Sequence, residues 1–331
     1  MAKFLLGVFL LGVLAAGAAG WLIFTPYGPS TETFVEIAPG SSALRIGKQL
    51  RDAGVLRSEY AFYVLREWRR GTLKAGEYRF DHPLTALDVY EHIARGEIYT
   101  RALVVPEGSN IFDIAARVEQ AGFDTRKDFL DAAVSQAGLV ADLDPEAKSL
   151  EGYLFPDTYR FARATKATEI VATMARRFRA VAAQLGLKEN LHQVVTIASL
   201  VERETAVDAE RPLVASVFEN RLSKNMPLMT DPSVIYGLEL EGRWRGTIYA
   251  SDLAADTAYN TYRHAGLPPG PIDNPGIRSL RAAMHPADTD YLYFVAAGVN
   301  AQGHSLFATT LDEHNRNVAG YRQALKNAGA Q

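Results

Sequence analysis

The stretch Leu191–Thr205, LHQVVTIASLVERET, constrains this chain more than any other. Leu191, Val194, Val195, Ala198 and Val201 recur at helical spacing, and Ile197 and Leu200 make the adjoining face apolar too. A helix that is apolar on most sides belongs in a protein interior. Yet this one ends in two carboxylates, Glu202 and Glu204. Buried acids are uncommon unless paired or functional. Burial and the negative end of the helix dipole both favour the protonated form of a carboxyl placed there, the form a general acid needs.

The N-terminus sets the expected compartment. Phe4–Phe24 is an uncharged run of 21 residues. As a helix it reaches ~31 Å, about the thickness of a hydrocarbon core. The small residues AAGAAG suit a cleaved signal peptide. The apolar run continues past them through WLIF, and Trp21 with Tyr27 suits an interface, so the expectation is an uncleaved anchor with the rest of the chain outside. The chain has no cysteine, which excludes disulfides, thiol nucleophiles and thiolate metal sites. Its net charge of −3 gives no reason to expect nucleic acid as a partner.

With 331 residues the chain has room for two or three domains. Residues 1–25 are expected to form the cytoplasmic end and anchor, and 26–32, rich in Pro, Gly and Thr, a linker. A strand at Thr33–Ala38 leads through PGSS into a helix capped by Ser41 or Ser42 and closed by Gly54, with Leu44, Ile46, Leu50 and Val55 inward. A second helix, Ser58–Arg69, carries Tyr60, Tyr63, Val64 and Trp68 on related faces. A strand at Leu73–Phe80 and a helix at Leu84–Arg95 follow. The pattern IAPGSSALRIGKQLRDAG from Ile37 repeats loosely as VPEGSNIFDIAARVEQAG from Val105. Duplication and shared turn chemistry explain this equally well. Further helices are expected at Phe129–Leu139, Thr168–Leu185, Ala209–Leu222, Ser279–Met284 and Leu311–Lys326. A buried strand at Tyr291–Ala297 should pair with His304–Ala308 through a turn region holding Gly298, Asn300 and Gly303. From Met229 helical periodicity fades and Tyr, Asn, Pro and Gly rise, the texture of ordered functional loops. The fold class is α+β.

Several chemistries lack their signatures. The seven histidines form no HExxH motif and no short cluster, so neither a metal nor another cofactor is expected. Gly303-His-Ser-Leu-Phe307 fails the nucleophile-elbow pattern, and no phosphate loop is present. A Glu in a groove walled by aromatics and amides fits glycan chemistry, because sugars offer apolar faces together with hydroxyl and N-acetyl groups. Tyr236, Trp244, Tyr249, Tyr259, Asn260 and Tyr262 are suitable types, and each is equally suited to packing.

EGYLFPDTY (Glu151–Tyr159), ASLVERET (Ala198–Thr205), TDPSVIYG (Thr230–Gly237), TAYNTY (Thr257–Tyr262), GLPPGPI (Gly266–Ile272), NPG (Asn274–Gly276), AAMHP (Ala282–Pro286) and YLYFVA (Tyr291–Ala296) occur in this order. In these motifs the chain resembles the YceG-like family of endolytic murein transglycosylases over roughly residues 34 to 326. The resemblance implies an anchor, a LysM-like subdomain at 33–98, for which a plain αβ spacer is the competing reading, and a YceG-like catalytic domain at 99–328 that includes a β-turn-α unit at 104–122. It implies non-hydrolytic cleavage of the MurNAc-β-1,4-GlcNAc bond with formation of 1,6-anhydro ends. One carboxylic acid would protonate the leaving oxygen and then, as carboxylate, take the proton of the muramoyl 6-hydroxyl.

By the same resemblance the catalytic acid is Glu202. Glu204 is left to tune it, to bind substrate or to make a structural bond. Asp231, Ser233, Tyr236, Tyr259, Asn260, Thr261, Asn274 and His304 extrapolate to groove-lining roles, with His304 equally readable as a core histidine. The implied partners are peptidoglycan glycan strands, the membrane through the N-terminal helix, and peptidoglycan synthases, with no nucleic acid. The implied location is the bacterial inner membrane, with the C-terminal part in the periplasm. A hydrolytic muramidase and a non-catalytic peptidoglycan-binding scaffold are the alternatives.

Overall fold

An apolar helix, α1 (Ala2–Phe24), opens the structure, a computed structural model that describes residues 1–298 and 303–329. The chain divides into two compact units, one of residues 1–101 with 160–164 and one of 102–159 with 165–331.

In the first unit α1 is exposed along most of its length, but in its last turn Ile23 is buried in a core with Leu50, Phe62, Leu65, Tyr78 and Tyr90. The segment after it is tied down, because Tyr27 and Leu84 exchange backbone hydrogen bonds of 2.9 and 3.0 Å. β1 (Thr33–Ile37), α2 (Ala43–Asp52), α3 (Glu59–Arg69), β2 (Gly76–Phe80) and α4 (Ala86–Arg95) follow. β1 and β2 are antiparallel, with Val35 opposite Tyr78, so α2 and α3 lie between the strands in sequence. The Ser42 side chain caps α2 and Ser58 caps α3, while Thr85 and Asp88 form a reciprocal capping box on α4. Ile46, Leu50 and Val55 point inward as the spacing predicts, whereas Leu44 does not: in the first turn of α2 it is 48% exposed.

β3 (Arg101–Val104) carries the chain into the second unit, which holds α5 (Ile111–Gln120) and α6 (Arg126–Ser135). β4 (Thr158–Phe161) takes the chain briefly back to the first unit. The buried aromatics Tyr153, Phe155, Tyr159 and Phe161 anchor the loop and strand of the EGYLFPDTY segment. α7 (Ala167–Leu185), α8 (Leu191–Glu204), α9 (Arg211–Ser223), α10 (Asp231–Leu240), α11 (Ala250–Ala254) and α12 (Ile277–Met284) make the body of this unit. An antiparallel hairpin, β5 (Tyr293–Ala296) with β6 (Ser305–Ala308), and α13 (Leu311–Gly329) complete it. α8 is the central element: every residue from Val195 to Val201 is buried, and α9, α10 and α12 pack around it.

Two expectations need correction. The stretch after Met229 is not all loop, since α10 forms there with Asp231 and Pro232 in its first turn. Tyr293 and Phe294 are half-buried rather than buried, because β5 belongs to a two-stranded hairpin with one open side. Part of the connecting turn lies outside the described residues. The two similar β-turn-α segments share backbone geometry at their glycines, with φ of 76° at Gly40 and 75° at Gly108, then 73° at Gly54 and 70° at Gly122.

Gly152 has no room for a side chain. Its φ is +86°, and an added Cβ would lie 2.5 Å from Pro271 Cγ and 2.8 Å from Val195 Cγ1. Gly152→Ala should cost about 2 kcal/mol or more, from backbone strain and overpacking together. Urea unfolding should show a lower midpoint at unchanged slope.

Candidate active site

Glu202 and Glu204 end the same helix but do not share a site. Two positions along a helix correspond to a turn of ~200°, so the side chains leave α8 on opposite sides. Glu202 Oε1 lies 3.0 Å from Arg211 Nη1, and Oε2 accepts the Gly276 N–H at 2.9 Å. Both side chains of the pair are only 6% exposed. Arg211 also donates to Ser279 Oγ at 2.5 Å. Glu202 is therefore built into the junction of α8, α9 and the start of α12. Arg211, not singled out in the sequence, is its principal partner.

Glu204 instead opens into a cleft of about 520 Å³, lined also by Arg221, Met229, Asp231, Tyr262, Tyr293 and His314. Thr230 Oγ1 donates to Glu204 Oε1 at 2.5 Å, and Oε2 makes no hydrogen bond among the described residues. Burial pushes the Glu204 carboxyl up, and the nearby Asp231 charge adds to that. The Tyr262 hydroxyl donates to Asp231 Oδ1 at 2.6 Å. Arg221 is lowered by burial, and its guanidinium lies 5.4 Å from the Tyr293 ring centroid. The Tyr293 ring stacks on His314, with centroids 5.1 Å apart. The cleft thus joins an acid whose pKa burial raises, a second carboxylate, a cation and aromatic rings.

The other predicted residues divide by burial. Ser233, Asn260, Thr261 and Asn274 are at most 2% exposed, and their polar atoms are committed to the protein. Ser233 Oγ bonds Thr230 O and Thr261 Oγ1, and Thr261 Oγ1 accepts the Thr230 N–H, so these two hydroxyls place Thr230 against Glu204. Asn260 Nδ2 donates to the carbonyls of Asp252, Leu253 and Ala255. These four residues line neither the cleft at Glu204 nor the pocket at Tyr236; their hydrogen bonds hold neighbouring segments in place. His304 is 56% exposed and pairs through Nδ1 with the buried Glu210 at 2.9 Å, so it is not a core histidine. Of the eight residues expected to line the groove, Asp231 alone lines the cleft at Glu204.

Tyr236 and Tyr259 lie elsewhere, packed edge to face at 5.0 Å around a separate pocket of about 380 Å³. Glu151 also borders that pocket, and sequence reasoning did not single it out. It accepts from Ile111 N at 2.9 Å and Asn274 Nδ2 at 2.8 Å. Burial nevertheless pushes its carboxyl up to about 8. Asn274 also accepts from Leu154 N and donates to Ser109 O, so Glu151 and Asn274 clamp the two loops that precede α5 and α12.

Next to Asn274, Asp273 is 1% exposed, and neither carboxyl oxygen has a partner among the described residues. Burial pushes it far up, and the Glu151 and Glu202 charges act in the same direction. A carboxyl whose folded pKa lies above its unfolded value, here 3.8, loses stabilising effect as pH rises through that interval. Asp273→Asn should therefore gain stability at neutral pH relative to the parent and match it near pH 3.5. Urea titrations across that range read the difference directly.

Among the described residues no group of three or more potential metal ligands is gathered. The YceG-like family profile matches residues 35–320. A protein of Bacillus subtilis strain 168 named endolytic murein transglycosylase is 33% identical over 308 residues, covering 86% of this chain and 84% of that protein. One of the same name from Streptococcus pneumoniae strain D39 is 30% identical over 86% of this chain, which spans 57% of its length. A crystal structure of a YceG-like protein from Listeria monocytogenes superposes with a TM-score of 0.56 at 32% identity, covering 87% of this chain and 99% of that one. The chain belongs to the YceG-like family.

Proposed function

We propose that the chain is an endolytic peptidoglycan lytic transglycosylase, with Glu204 as its proton donor and acceptor. The observation that carries the assignment is the Glu204 carboxyl, pushed up by burial at the wall of an open cleft with Thr230 fixing one of its oxygens. The names of the related proteins supply the substrate class, murein. In the first step Glu204 protonates the glycosidic oxygen between MurNAc and GlcNAc. The charge left on the acid is then stabilised by the Thr230 hydroxyl and by Arg221. In the second step the same carboxylate takes the proton of the muramoyl 6-hydroxyl, which closes the 1,6-anhydro ring. The proton count balances without water. Tyr262 presents an aromatic ring to the sugar. Glu202, the residue the family resemblance points to, serves in this reading as the support that fixes the end of α8.

A hydrolytic muramidase is the second reading, because Asp231 in the same cleft provides the second carboxylate that such chemistry uses. Product mass decides between them: anhydro ends are lighter than reducing ends by one water. Exclusively reducing ends after digestion of purified peptidoglycan would sink the transglycosylase assignment.

The anchor and the smaller domain belong to the same proposal. α1 is long and apolar enough to cross a membrane. Its crossing would place both units on the periplasmic side, beside strands being assembled by peptidoglycan synthases. Two helices between two antiparallel strands in the first unit support a LysM-like reading of residues 33–98.

A further inference from the structure

α3 is apolar on both sides. Ala61, Phe62 and Leu65 face the core of the first unit. Tyr60, Tyr63, Val64 and Trp68 face out, at 65%, 44%, 49% and 63% exposure. The spacing i, i+3, i+4, i+8 makes these four one stripe. A single exposed apolar residue is ordinary, but a continuous stripe of large ones marks a contact surface.

The position of the stripe identifies its partner. Arg57 directly precedes the Ser58 cap of α3, and its guanidinium lies 4.6 Å from the Trp21 ring centroid and 4.5 Å from that of Tyr27. Trp21 is in the last turn of α1, and Ile23 shares one core with Phe62 and Leu65. The end of the apolar helix and the start of α3 are therefore one packed structure with no free linker between them. With α1 in hydrocarbon, Trp21, Tyr27 and Arg57 sit at headgroup depth, where aromatic rings and arginines are favoured. The outer stripe of α3 begins there. Arg66, Arg69 and Arg70 border its far end, and Glu59, one of the acids on the helix, is neutralised by Arg51. Aromatic rings flanked by arginines suit the headgroup region of an anionic leaflet.

We propose that α3 lies against the leaflet from which α1 emerges, with Tyr60, Tyr63, Val64 and Trp68 in the headgroup layer. The first unit is then held on the membrane surface by two elements, one spanning and one lying flat. This rests on α1 being an uncleaved anchor. The absence of native cysteine makes the test direct, since single labels need no background removal. The full chain carrying Leu11→Cys, Glu36→Cys, Val64→Cys or Glu67→Cys is labelled with an environment-sensitive fluorophore. It is reconstituted in vesicles of phosphatidylethanolamine and phosphatidylglycerol containing lipids with nitroxides at headgroup or deep acyl positions.

The label at 11 should be quenched by the deep nitroxide. Labels at 64 and 67 should be quenched by the headgroup nitroxide at least about twofold more than the label at 36, an exposed position of β1. Adding Tyr63→Ser and Trp68→Ser should bring the label at 64 down towards that control and leave the label at 11 unchanged. Deep quenching at 11 with no excess at 64 and 67 overturns the α3 proposal while leaving the anchor intact. No deep quenching at 11 overturns the anchor and the proposal with it. A shift at 67 on adding N-acetylglucosamine oligomers, without lipid quenching, assigns the stripe to glycan and overturns the proposal as well.

Discussion

Glu204→Gln should abolish the release of anhydro-muropeptides, by about 10³-fold or more, in a protein that folds as the parent does. General acid–base catalysis contributes ~10² to 10⁴ at a single proton transfer. In the proposed mechanism one carboxyl performs both transfers, so its loss falls at the upper end. The amide retains the acceptor for Thr230 and the shape of the side chain. It also removes a group that burial opposes in its charged form. The sign follows from linkage. The folded pKa of Glu204 is raised above its unfolded value, so its stability contribution is complete below that value and is lost as pH rises towards the folded one. The Gln variant has no such loss and should be equal or higher in melting temperature at neutral pH, the pattern of a site that trades stability for chemistry. Counting anhydro ends by mass spectrometry reads the rate, and thermal unfolding reads the fold. A variant that keeps more than about a tenth of the parent rate removes Glu204 from the mechanism.

α8 was legible because an apolar run on all faces has one physical solution, and the structure buries Val195–Val201 completely. The cap and stop of α2 were legible for a local reason: Ser42 and Gly54 act within one turn of where they stand. The different surroundings of the two acids were not legible. They depend on which side chain meets Arg211 and Gly276 and which meets Thr230, contacts that run from nine to 74 positions away in sequence. The same limit applies to the residues expected to line the groove. Asn260 and Asn274 look like ligands for an N-acetyl group by type, but both are fully buried and bound to their own backbone neighbourhood or to Glu151. α10 was missed because Pro232, Tyr236 and Gly237 carry a loop-like composition. Gly237 is needed there for the close approach of Tyr259, whose Cβ lies 3.1 Å from where a glycine Cβ would be. Leu44 and the outer stripe of α3 show the converse problem. Periodicity identifies apolar faces, but it does not say which of two the core will take.

Glu202→Gln should lower stability by about 3 kcal/mol while leaving the rate of the folded enzyme within a few-fold of the parent. The Glu202–Arg211 pair is nearly sealed, and the Arg211 guanidinium keeps only Ser279 and the exposed Asp208 when the carboxylate is gone. Breaking one partner of a buried pair costs ~3–5 kcal/mol, and Asp208 leaves Arg211 only part of its compensation. Gln retains an acceptor for the Gly276 N–H, which places the expected loss at the low end. Arg211→Met should cost a similar amount for the reciprocal reason. The double variant should lose less than the sum of the two, with a coupling of about 2 kcal/mol or more by a double-mutant cycle. Saturating kinetics below the lowered melting temperature separate this from catalysis. A structural Glu202 gives a lowered melting temperature and a near-normal kcat, whereas a proton-transferring Glu202 gives a normal melting temperature and no product. Because Glu204→Gln is expected to show the opposite pair of outcomes, measuring both variants assigns the acid between two side chains that stand two residues apart on one helix.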